Sequence, residues 1–396
     1  MLLSAESRER LLAARRLQFS TPLELDPFTA YRRLLEVPRL TYDERRGSWI
    51  AARYADVHNI LLDPKTFSSQ RALNPDGSVD EVAGAGIIEL DPPRHRSLRQ
   101  LLAQAFTERR VAQLQRRIGE ITDQLLDAIE SESTVDIVDA LAFPLPVTVI
   151  AEPLGIPLED VGQFRQWSSD LLSNDFALRA KTFGTFAGYF DNLIERRRTA
   201  PREDLISGFL CAEIDGERLS QRDITSACTL LLIAGHETTA SLIPIVLWCL
   251  DDHPQARDDL AQHPELLAGA IEESLRFRAV IHYMPRVVTE EIDFAGSRLQ
   301  PGDLVLPLYA AANLDPGQFT DPDRYDIRRS PNRHFGFGHG IHFCLGASLA
   351  RVETTIAVRR LLERFPNLAR DRSQKLELRP SAFVYSLSNY PVAPRG

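Results

Sequence analysis

The sequence predicts a mostly α-helical chain with a minor β region, and three observations carry that prediction. Apolar residues recur at three- and four-residue steps over long segments, above all 111–129 and 219–251, which is the period of one helix face. Short β-prone runs lie in pairs near both ends, around 40–51 and 291–308. No internal repeat and no low-complexity linker divides the 396 residues. One domain spanning 1–396 is therefore expected, with 1–25 as a peripheral or poorly ordered N-terminus.

Bulk properties narrow the function classes. A hydrophobic content of 44% beside 26% charged residues suits a globular protein with a substantial core. The net charge of −9 argues against a nucleic-acid binder, which needs a basic face. Cys211, Cys228, Cys249 and Cys344 show no C-x-x-C spacing and are too few for a disulfide framework, so a reducing, cytoplasmic compartment is expected. The N-terminus is charged from Glu6 onward and lacks the apolar core of a signal peptide. No run reaches the roughly 18 consecutive apolar residues of a membrane span.

Taken in order, Asp26-Pro27-Phe28 opens a helix carrying Tyr31, Leu34 and Leu35. Leu40–Tyr42 and Trp49–Ala51 flank a polar turn containing Gly47, as a hairpin does. Ala55–Leu62 returns to helix and stops at Asp63-Pro64. Residues 68–89 form a loop long enough to suggest a lid or binding element. Asp91 before two prolines reads as a helix start, and His95 and Arg99 then share one face of the helix to about 106. Val111, Leu114, Ile118, Ile121, Leu125 and Ile129 mark a core helix. Residues 143–157 are apolar and punctuated by prolines; 164–198 give one or two aromatic-rich helices.

The longest helix has the clearest start. Ser220 with Asp223 three residues later forms a capping-box pattern, and periodicity runs from there to Asp251. Leu230–Ile233 is apolar all round, as in a buried helix. Directly after it stands Ala234-Gly235-His236-Glu237-Thr238-Thr239. A charged residue is seldom buried without a partner, and glycine with two threonines is poor helix chemistry. Gly235 would let a flat ligand approach, and the Thr238 hydroxyl can return to the Ala234 carbonyl. His236 is turned about 100° from Glu237 and reads as structural. Pro244 adds a kink of its own. Farther on, Glu273-x-x-Arg276 lies on a helix, strand-like pieces occupy 291–294 and 304–308, a helix runs to about Phe365, and 383–387 is strand-like.

The segment 334–351, HFGFGHGIHFCLGASLAR, holds glycines at 336, 338, 340 and 346 around Cys344, ahead of a helix. Free N–H groups at a helix mouth favour a thiolate. A thiolate in a tight Gly-rich loop, with no second cysteine or zinc-type histidine spacing, suits one axial bond to a haem iron.

The loop matches F-x-x-G-x-x-x-C-x-G through Phe337, Gly340, Cys344 and Gly346, and so resembles the haem-ligand loop of the cytochromes P450, the haem-thiolate monooxygenases. With A-G-x-E-T-T and Glu-x-x-Arg in the same order, the resemblance extends from about residue 26 to the C-terminus. It implies a fold in which a long central helix crosses one haem face and the cysteine loop lies on the other. It implies haem b with Cys344 as axial ligand, and contacts from Phe337, Gly338 and Gly346 of the loop and from Ala234 and Gly235. His95, Arg99, Arg286 and His342 would neutralise the haem carboxylates. Glu237 and Thr238 would be the acid–alcohol pair that delivers protons for O–O cleavage. Glu273 and Arg276, joined by an arginine best matched by Arg324, would brace the loop.

The chain departs from the family pattern at Phe277 for a usual tyrosine, Val280 for proline, and Leu314 for arginine. The expected function is insertion of one atom of O2 into a small apolar substrate, with electrons from NAD(P)H through a reductase and a ferredoxin-type iron–sulfur protein. The basic run Arg328, Arg329, Arg333 and Arg351 suggests a docking face for it, with Arg351 on the proximal side. Nucleic acid and membrane are not expected partners. A peroxide-driven or non-oxygenating haem-thiolate enzyme, and a haem-binding sensor or carrier, remain as alternatives, separated by reductant-dependent product formation.

Overall fold

Ser220 and Asp223 exchange the two bonds of a capping box, and from them a 32-residue helix runs from Gln221 to Asp252. At about 1.5 Å per residue this rod is nearly 50 Å long, and the other elements are arranged on it. The computed structural model describes residues 23–395 apart from 38, 71–85, 174 and 215, together with Ser4, Glu6, Ser7, Glu9 and Ala14. Most of the 1–25 terminus and of the 68–89 loop thus lies outside the described residues. The central helix is long and apolar enough to cross a membrane, yet 78% of its most apolar window is buried inside the protein. Its apolar surface is consumed by neighbours, as in a core helix.

Those neighbours are the helices Pro144–Leu154, Phe176–Thr199 and Ala347–Arg364. Periodic Val111, Ile118, Ile121 and Ile129 put one face of Glu108–Ile129 into the core with Leu242, Ile245 and Leu361. A second apolar cluster joins Leu98, Phe143, Ile150, Phe164, Phe186 and Phe190 to Leu231 and Leu232 of the central helix. The aromatic-rich stretch resolves into two helices, Val161–Leu172 and Phe176–Thr199. Phe164, Phe186 and Phe190 in them are fully buried.

The β region is small. Leu40–Asp43 pairs antiparallel with Ser48–Ala51, as the hairpin pattern predicts. Leu304–Pro307 then lies parallel to the hairpin, followed by Arg286–Val288 and Phe67–Ser68, both antiparallel. Two expectations differ. The helix predicted from Asp91 runs from Arg94, with the Asp91 carbonyl accepting from His95 N at 3.0 Å. The Asp91 carboxylate does not cap it, accepting instead from Ser69 N at 3.0 Å and from the Ser68 hydroxyl. Residues 383–387 form no strand, because they bond to two different segments: Tyr385 N donates to Val280 and Ser386 accepts from Arg379 N. A ladder needs one continuous partner.

Candidate functional site

The cysteine loop is closed by its own backbone. Gly338 N donates to Phe335 at 2.8 Å, Phe343 N to Gly340 at 3.1 Å, and Cys344 N to Phe337 at 2.9 Å. Gly338 and Gly340 take φ of 70° and 67°, a region that disfavours any side chain. At Gly340 a Cβ would also stand 2.4 Å from the Leu61 carbonyl. The following helix begins only at Ala347. Cys344 is partly exposed, yet burial raises its thiol pKa above the ordinary value, against the Gly346 N–H and the charges of Arg99 and Arg351. The expected thiolate preference is thus outweighed by desolvation in the protein alone; a coordinating metal removes the proton outright.

Behind the loop lies a wholly buried ion pair. Arg276 donates to both Glu273 oxygens, at 2.7 and 2.8 Å, and neither side chain is exposed. Arg276 also donates to the carbonyls of Asn313, Pro322 and Arg324. The third member expected here, Arg324, is corrected to Arg329, whose Nε lies 3.2 Å from both Glu273 oxygens. Arg324 is exposed and offers only its carbonyl, which accepts from Arg276 and Arg329. Spacing could not choose between two arginines of one irregular segment; the left-handed turn at Asp321, φ 48°, helps to do so. Asn313 was missed. It is fully buried; its carbonyl accepts from Arg276, and its Oδ1 accepts from Phe335 N at 2.8 Å. It is the hydrogen-bonded link between the ion pair and the cysteine loop, and a lone asparagine in the Ala-Ala-Asn run gave little warning of it.

Cationic and imidazole groups converge beside Cys344. Arg99 Nη2 donates to the Phe343 carbonyl at 2.5 Å. The His95 and His342 rings are 4.3 Å apart, and Ser69 Oγ lies 3.0 Å from His342 Nε2. Arg286, 5% exposed, sits on the strand whose Val287 pairs with Ser68. His95 Nε2 is buried without a hydrogen-bond partner among the described residues. An orphaned nitrogen is costly in a finished core, and beside the Arg99 guanidinium it fits a carboxylate of a porphyrin. Leu345, beside Cys344, belongs to the same apolar cluster as Leu231 and Ile233, so the loop and the middle of the central helix border one interior region.

There Ala234 is exposed and Thr238, one turn on, partly so, although the flanking helix is buried. The Thr238 hydroxyl donates to the Ala234 carbonyl at 2.9 Å. Gly235 is corrected: a Cβ on it would meet Ile150 Cγ1 at 2.9 Å. Its missing side chain admits the helix Pro144–Leu154, while Ala234 beside it is left exposed. Glu237 is 2% exposed; Oε2 accepts from Arg379 Nη1 at 3.0 Å, and Oε1 lies 3.3 Å from His236 Nε2. Burial works to raise its pKa, but His236, Arg379 and Arg165 together hold the carboxyl below the ordinary range. Arg379 had no sequence signal, being 142 positions away. A thiol donor, a cationic cradle and a small-residue helix face thus fit a haem with an acid and an alcohol on the opposite side.

The basic run changes meaning. Arg328 pairs with Asp259, Arg329 with Glu273, and Arg351 with Glu272. Arg351 donates twice to Glu272, at 2.7 and 2.8 Å, and its guanidinium lies 4.4 Å from the centre of the Phe337 ring. Arg351 thus engages Glu272 and the Phe337 ring while its side chain stays 39% exposed, so the charge of the expected docking face is partly compensated here.

Comparison with known proteins agrees with this geometry. Residues 159–391 match the family model described as Cytochrome P450. The chain is 39% identical to Cytochrome P450 107B1 of Saccharopolyspora erythraea, over 96% of this chain and 97% of that protein. It is 40% identical to the Vitamin D(3) 25-hydroxylase of Pseudonocardia autotrophica, over 87% of each. Its structure is similar to that of CYP109E1 from Bacillus megaterium in complex with testosterone, with a TM-score of 0.89, 33% identity and full coverage of both chains.

Proposed function

The chain belongs to the cytochrome P450 family of oxygen-incorporating oxidoreductases, and on that premise we propose that it inserts one atom of O2 into an apolar small molecule, by hydroxylation or epoxidation. The observation that carries this reading is the buried Glu237 beside Thr238, on the helix that shares an apolar cluster with the Cys344 loop. Haem b, bound through the Cys344 thiolate, would supply the reductive activation of O2. His95, Arg99, Arg286 and His342 would hold its carboxylates, the arginines by charge-assisted bonds. Ala234 keeps the helix low enough for a flat ring. Thr238 orients a proton toward the reacting oxygen, and Glu237 replenishes it.

Ile233 and Ala234, with Ile281, Met284 and Phe383, would form the substrate wall; all five are apolar and at least partly exposed. Ile281 bridges to Val384, which brings these two segments together. An apolar wall with few polar groups suits a substrate of steroid size, the class named for CYP109E1 and the vitamin D(3) hydroxylase. Electrons would come from NAD(P)H through a reductase and a ferredoxin, in the cytoplasm. The test is product formation from a steroid panel with ferredoxin, reductase and NAD(P)H. Turnover that needs reductant and O2 is expected; turnover supported by peroxide alone would overturn the reading.

A further inference from the structure

The proton count in the middle of the central helix is incomplete without one more hydrogen. His236 is wholly buried, and its Nδ1 lies 2.6 Å from the Leu232 carbonyl oxygen. A carbonyl only accepts, so Nδ1 carries a hydrogen. In a neutral imidazole Nε2 is then a bare acceptor, and it stands 3.3 Å from Glu237 Oε1. That oxygen is also an acceptor while the carboxyl is ionised. Neither atom has a hydrogen-bond partner among the described residues. Two buried lone pairs facing each other at that distance repel, whereas one proton between them makes a charge-assisted bond after a slight turn of either side chain.

The surroundings decide where that proton stays. Arg379 donates to the other oxygen of Glu237, and Arg165 on the helix Val161–Leu172, itself paired with Asp139 near the surface, adds a smaller positive influence. Both favour the anionic carboxylate, so the hydrogen rests on His236. Phe143 stands perpendicular to the imidazole with ring centres 5.6 Å apart and closes that side from water.

We propose that His236 is a positioning residue that stores a transferable proton: its Nε2 and Glu237 Oε1 share one hydrogen, on which Glu237 draws when it supplies Thr238. The inference rests on the relay reading of Glu237 and Thr238 given above. In the step, the proton passes from Nε2 to Oε1 and the N–H electron pair stays on nitrogen. The neutral ring keeps its Nδ1–H bond to Leu232. Water reaching the pair along Arg379, whose side chain is 15% exposed, restores the proton.

The test is nitrogen NMR of the holoenzyme with 15N-labelled histidine, as the diamagnetic ferrous carbon monoxide complex at neutral pH. One histidine should show hydrogen on both ring nitrogens. Glu237→Gln should return that ring to the neutral Nδ1–H form, since an amide N–H can donate to Nε2. This change assigns the signal even where His236→Gln fails to fold. In turnover, His236→Gln should release several-fold more peroxide per product than wild type. A neutral His236 ring in the wild-type protein, or wild-type coupling in a folded His236→Gln enzyme, would overturn the proposal. Wild-type coupling in Glu237→Gln and Thr238→Ala as well would strike the relay reading instead, and the NMR result would still decide whether the proton is shared.

Discussion

Arg379, on the C-terminal segment, closes at 3.0 Å on Glu237 in the middle of the central helix, and both side chains are largely buried. The pair ties the substrate-side segment to the acid of the site. Arg379→Gln removes one of the charges that hold the Glu237 carboxyl below its ordinary range. A depressed folded-state pKa stabilises above the unfolded carboxylate pKa of about 4.3, and that stability is lost as pH falls through the folded value. Wild type should therefore exceed Arg379→Gln in urea midpoint at neutral pH, with the gap shrinking as pH falls below the unfolded carboxylate value. Equal midpoints at pH 7 would show that the pair does not stabilise the fold.

Cys344 is the cysteine closed into the Gly-rich loop by its own N–H bond to Phe337. Cys344→Ser should abolish the strongly red-shifted Soret band of the reduced carbon monoxide complex. Persistence of the band in that variant would remove Cys344 as the ligand.

Thr238→Ala keeps the helix but loses the hydroxyl to which the proposed proton relay assigns the last transfer. Reductant and O2 consumption should continue while product falls and peroxide rises, with a change in the peroxide-to-product ratio of up to about 100-fold, the lower end of the scale of one general acid–base group. The readout is the ratio of NAD(P)H consumed to product formed, and an unaltered ratio would exclude the relay role.

Arg329 and Arg324 make opposite predictions. Arg329→Ala leaves part of the buried Glu273 charge uncompensated and should cost about 3 kcal/mol or more, with loss of haem on purification. Arg324→Ala removes an exposed side chain and should stay within about 0.5 kcal/mol. Denaturant midpoints of the two variants decide between them.

Glu272 is held between Arg351 and His334. Burial works against it, but the bonds from Arg351 and His334 prevail and lower its pKa to about 2. Its contribution is complete above the unfolded carboxylate pKa and is lost as pH falls from about 4.5 toward 2. Haem retention in wild type should decline across that acid window. Arg351→Gln should retain haem less well at neutral pH, and a variant with undiminished retention would argue against the bracing role of the pair.

Much of this protein was legible in local chemistry. Ser220 and Asp223 specify where the central helix starts, because a capping box acts within four residues. The glycines at 338 and 340 specify the loop, because its φ values admit little else. Phe337, Cys344 and Gly346 mark the ligand by spacing along one strand of sequence. What the tertiary structure decided is which distant groups meet. Arg329 rather than Arg324 reaches Glu273, Ile150 explains Gly235, Arg379 finds Glu237, and Glu272 engages Arg351. The physical reason is that helix and turn preferences arise from neighbours in the chain, whereas a buried charge takes whichever partner the packed backbone brings within about 3 Å. That choice is made by the fold as a whole and leaves no local pattern in the sequence.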